Sequence, residues 1–87
     1  MAVISIGDTT VTVVGTPSGA NITSVVTAST ADNGDTVDVS SVASTIYSVS
    51  VLSDTDGLLT ASVDSSGVVT LPGATANEAR TIFILGK

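Results

Sequence analysis

Tyr47-Ser48-Val49-Ser50-Val51 sets bulky side chains against serines with a strict period of two. Successive side chains of a strand point to opposite faces, so this run reads as a strand with one face buried and the other wet. Asp54-Thr55-Asp56-Gly57 follows with the composition of a turn, and Leu59, Ala61 and Val63 then alternate with Thr60 and Ser62. Strand, turn, strand is the unit from which the rest of the chain is read.

Working outward, the alternation recurs. Upstream, Ala2, Ile4 and Ile6 alternate with Val3 and Ser5, and after Gly7-Asp8 the valines Val11 and Val13 alternate with Thr10 and Thr12. Gly15-Thr16-Pro17-Ser18-Gly19 is a loop, since Gly and Pro punctuate strands. Ile22 to Ala28 is a further strand whose register stays open, because Val25 and Val26 claim opposite faces. Asn33-Gly34 supplies the positive φ angles of a type I′ hairpin, and Val37 and Val39 form a short strand beyond it. Downstream, Ser65-Ser66-Gly67 turns into Val69 and Leu71, which Pro72-Gly73 stops. Ala74 to Arg80 is the only helical candidate, a turn or two at most. Thr81-Ile82-Phe83-Ile84-Leu85 is apolar on both faces.

Val and Thr dominate, and β-branched side chains suit a pleated, half-buried surface better than a helix. The expected fold is all-β: one small β-sandwich or barrel-like domain over residues 1–87, with about seven or eight short, mostly antiparallel strands. Residues 1–6 serve as its first strand or as an arm. The segments 32–52 and 64–85 echo one another. Each runs turn, short strand (Val37 and Val39; Val69 and Leu71), polar connection, long strand, so two equivalent β-arches packed face to face to make one core are expected.

Eight acids against two bases, Arg80 and Lys87, give the 87-residue chain a formal charge of −6. Nucleic-acid binding by counterion release needs several cations against phosphates, so a DNA or RNA partner is not expected, nor is an anionic membrane surface. There is no Cys and no His, which removes disulfides, thiolate zinc sites, thiol nucleophiles and imidazole bases. No apolar run reaches about 18 residues. The start of the chain lacks the basic region and long apolar stretch of a secretory signal, so synthesis in the cytoplasm is expected.

Asp54-x-Asp56-Gly57 is the motif most like a Ca²⁺ loop, with two carboxylates before a glycine. An EF-hand needs an oxygen ligand at the fifth position and Glu at the twelfth, where this chain has Leu58 and Ser65. A hairpin turn explains the motif equally well, so we assign no metal, Asp54 and Asp56 being the residues that would carry one. Asp32, Asp35 and Asp38 beside Asn33 read as a solvated turn whose side chains bond their own backbone. Paired carboxylates can serve acid–base chemistry, but one Tyr and one Phe make no sugar platform, and a chain this short has little room for a pocket. No enzymatic activity and no cofactor are expected.

The remaining candidates concern interaction. Phe83 and Leu85 fall on one side of the last strand, with Ile82 and Ile84 on the other, so the strand is either central or covered by another subunit. Phe83 and Leu85 are placed at a subunit contact. Tyr47 reads first as a core aromatic with its hydroxyl at the rim and second as an interface anchor. Val3 and Ile4 lie in a segment that pairs within the domain or adds to a partner's sheet edge, and they are placed at the contact with the scaffold the module would grip.

In style the chain resembles the small head-decoration (capsid cement) proteins of tailed bacteriophages and related viruses. The likeness rests on the compact Cys-free Ser/Thr/Val/Ala/Gly-rich composition, on residues 33–41 (Asn33 to Ser41), and on the ending from Val69 to Lys87. It covers roughly residues 30 to 87 and carries no diagnostic motif, so no site residue transfers. The resemblance implies a non-enzymatic protein on the outer surface of a virion. It would bind the major capsid protein as a homo-oligomer, often a trimer, and fasten neighbouring capsomers. The competing reading is an extracellular or fibre-associated β-module, adhesin-like or Ca²⁺-binding through the two acidic turns.

Overall fold

The computed structural model describes residues 2–73 and 75–87. Among the described residues nine strands form two sheets, so the fold is a β-sandwich and not a closed barrel. The strands are β1 (Val3–Ile4), β2 (Thr10–Gly15), β3 (Asn21–Val26), β4 (Thr36–Asp38), β5 (Ile46–Ser53), β6 (Gly57–Thr60), β7 (Ser62–Val63), β8 (Val68–Thr70) and β9 (Arg80–Gly86). The smaller sheet has the order β1-β4-β8-β7 and the larger β2-β3-β9-β5-β6. Every pairing is antiparallel except β1 with β4.

Valines and isoleucines from both inner faces meet between the sheets. Val37 and Val69 come from the smaller sheet, and Val25, Val49, Val51, Ile82 and Ile84 from the larger, all buried. Val39 and Leu71, just past the ends of β4 and β8, complete the cluster. The register left open at Val25 and Val26 resolves with Val25 inside and Val26 outside.

The two arches expected from the sequence echo are present, but side by side and not face to face, because their equivalent strands are hydrogen-bonded neighbours. Each crosses from the smaller sheet to the larger, β4 to β5 and β8 to β9, and equivalent strands pair antiparallel within each sheet. An approximate two-fold passes through the Val37–Val69 pair in one sheet and the Ser50–Phe83 pair in the other. It also exchanges two ladder bonds, Val39 N–H to the Gly67 carbonyl (2.9 Å) and Leu71 N–H to the Asp35 carbonyl (2.8 Å).

Four further expectations are corrected. Tyr47 is not core: the β5–β9 register slips between Ile46 and Ser48, a bulge that turns Tyr47 outward, 56% exposed. Residues 75–79 are not helical but irregular, with Asn77 in the left-handed region at φ 54°; Ala74 lies outside the described residues. Asn33-Gly34 is not a type I′ hairpin. Only Gly34 has positive φ, and Asp35 N–H donates to the Asp32 carbonyl, which is type II geometry leading from the larger sheet to the smaller. Ile6 is not in a strand, since Ile6–Asp8 forms a 3-10 turn capped by the Ser5 hydroxyl.

Candidate interaction surface

The outward side chains of the larger sheet follow directly from its register. One row runs Val14, Ile22, Leu85, Ser48; the next Thr12, Ser24, Phe83, Ser50, Thr60; the third Thr10, Val26, Thr81, Leu52, Leu58. None of these residues is charged. Val14, Ile22, Val26, Leu52, Leu58 and Leu85 are exposed, Leu58 by 65%, and Phe83 is half-buried at the centre. Strands about 4.8 Å apart and rows about 6.8 Å apart make this a face of roughly 19 by 14 Å between its outermost positions. Of its fourteen positions seven are Val, Ile, Leu or Phe and seven are Ser or Thr, so the face mixes apolar side chains with hydroxyls and carries no charge.

The sequence candidates separate into two groups. Phe83 and Leu85 lie within this face, and Tyr47 lies beside it at the β5 bulge, turned away from the core. Val3 and Ile4 belong to the other sheet. Val3 is 82% exposed on edge strand β1, while Ile4 packs partly against the core. A shallow groove of about 530 Å³ runs beside them, lined by Ala2, Ala28, Thr30 and Asp35 among others. Sequence reading did not place Val14, Ile22, Val26, Leu52 or Leu58 on a contact face. Ile22 has an alternating neighbour in Ser24, but only the strand order reveals which face the two share.

The acidic residues act as braces. Asp35 is buried rather than solvated, its carboxylate accepting from Ala2 N–H (2.8 Å) and Asp32 N–H (3.0 Å). Those backbone donors hold its carboxyl below the ordinary value. Asp32 accepts from Asn77 N–H at 2.7 Å, and Asp38 from Ser40 N–H at 3.0 Å. Asp54-Thr55-Asp56 is the turn of the β5–β6 hairpin, closed by Gly57 at φ 83°. Asp56 accepts from Thr75 N–H at 3.2 Å. Among the described residues no three acids gather in a way that would hold a metal ion.

Arg80 is fully buried, the least expected placement of any charge in the chain. Its guanidinium donates to the carbonyls of Pro72 and Thr75, and its Nε lies 3.6 Å from Glu78 Oε1. Glu78 in turn accepts from the Ser53 and Thr55 hydroxyls, which keep its carboxyl below the usual range. These bonds tie Pro72, Thr75 and Glu78 to Arg80 and to the β5–β6 turn. The two carbonyls serve the terminal nitrogens of Arg80, while Nε is buried with no hydrogen-bond partner among the described residues and is balanced only by the charge of Glu78.

Compared with known proteins, the chain matches no family model, no curated protein and no solved structure.

Proposed function

We propose that this protein is a non-enzymatic structural module that docks through the outer face of its larger sheet onto a protein assembly, in the manner of the capsid-decoration proteins it resembles. The observation that carries this reading is the segregation of charge. All ten ionisable Asp, Glu, Lys and Arg residues lie off a sheet face that exposes six large aliphatic side chains. Covering this face buries no charge and gains from its apolar half, while its Ser and Thr hydroxyls can bond a partner, which is the energetic profile of a contact surface.

The partner that fits is the major capsid protein on the exterior of a virion, reached after synthesis in the host cytoplasm. A charge of −6 keeps the module soluble outside the shell, whereas inside it would face DNA phosphates. With many identical sites on one shell, each contact can be modest. The test adds pure protein to undecorated shells and follows their thermal rupture. Decorated shells should break at a higher temperature. Unchanged rupture with no bound protein would refute the reading.

A further inference from the structure

We propose that β2 is a self-pairing edge: two copies of this chain join β2 to β2 antiparallel about a two-fold through Thr12, merging their larger sheets into one. The proposal stands whatever the outer face binds.

An edge strand presents a row of unpaired backbone groups, and its natural occupant is another strand. The two sheets end in four edges. β1 and β7 are two residues long and β6 is four, with Asp54 and Asp56 in the turn beside it. β2 is six residues, Thr10–Gly15, and pairs with β3 without a bulge. It carries no charge and no proline, the usual guards against edge pairing.

β2 is also exposed on both faces. Val11 and Val13 have the inward phase of the sheet, opposite Val25 and Thr23, yet Val13 is 53% exposed. Ser5–Thr9 carries the chain from edge β1 to edge β2, so both edges lie on one side of the sandwich, where two-residue β1 leaves β2 uncovered. The missing cover is what a second copy supplies.

Paired residues must share a face, so an antiparallel two-fold has to pass through a residue. Through Thr12 it sets Val11 against Val13 of the second copy and Val13 against Val11, making a four-valine cluster under the joined sheets. Thr10 meets Val14 on the outer side. A second copy also brings no charge to this seam, although each carries −6 overall. The contact is isologous and uses both β2 edges, so it closes at a dimer and does not propagate. This two-fold takes the place of the trimer that the resemblance implies.

The test measures native mass by light scattering from about 1 µM to about 1 mM, the range of a modest interface. Mass should rise from monomer to twice that value. Val13→Lys should stay monomeric throughout with an unchanged circular-dichroism spectrum, since Val13 lies outside the core. The chain has no Cys, so a single one reports cleanly. Under oxidation Thr12→Cys should crosslink to a covalent dimer, because facing Cα atoms about 4.5–5.5 Å apart suit a disulfide. Thr60→Cys, on β6, should not. A monomer at every concentration, the edge then being kept for a different protein's strand, would overturn the proposal. So would a trimer, or a dimer that Val13→Lys leaves intact.

Discussion

Thr23 and Asp35 show what single polar groups cost and contribute inside this sandwich. Thr23 lies on the inner face of β3, and its hydroxyl is buried with no hydrogen-bond partner among the described residues. Valine has nearly the same shape and no hydroxyl to strand, so Thr23→Val should stabilise the fold by about 1 kcal/mol in urea denaturation. Asp35 is the opposite case. Its carboxyl is depressed below 3.8 by the Ala2 and Asp32 amides, so its charged form favours the folded state. That contribution is complete above the unfolded value and is lost as pH falls through the folded one. Melting temperature should therefore drop below about pH 4, and Asp35→Asn should be less stable at neutral pH with a shallower acid-induced loss. Asp35 was readable as a turn residue, but nothing near it in sequence announces that the Ala2 amide, 33 positions away, would meet it.

Among the elements, those built on local periodicity were legible and those set by a distant neighbour were not. Val49 and Val51 announce β5 because a half-buried strand must alternate. Tyr47 misled because the bulge that turns it out is set by pairing with β9, not by its own neighbours. Leu59, Ala61 and Val63 read as one strand, yet the chain leaves the larger sheet after Thr60 and enters the smaller at Ser62. All three are half-buried, so the alternation continues unbroken around the corner. The paired arches were visible because both repeat the same inward residues, Val37 and Val39 against Val69 and Leu71. Where the second arch ends, β9 packs tightly on the start of the first arch's long strand. A Cβ at Gly86 would overlap the Thr45 carbonyl, which accepts from Lys87 N–H. Gly86→Ala should thus cost about 2 kcal/mol or more in thermal or urea unfolding, because backbone must move to admit it.

At the scale of the molecule, charge and apolar surface occupy different regions. Acids gather at turns and at the connections between sheets, where they hold backbone amides, and the larger sheet's outer face is left neutral. The sequence placed Phe83 and Leu85 on one side of a strand, but a face needs strand order, which no local pattern encodes. Joined through β2, two such faces would form one continuous surface and double the area offered to a shell. The central claim is that this face does the holding. Co-sedimentation with undecorated shells tests it most directly, comparing the native chain with Leu58→Lys on the face and Ser66→Lys on an exposed turn of the smaller sheet. The native chain and Ser66→Lys should pellet with the shells while Leu58→Lys stays in solution. Equal pelleting of all three, or of none, would contradict the account.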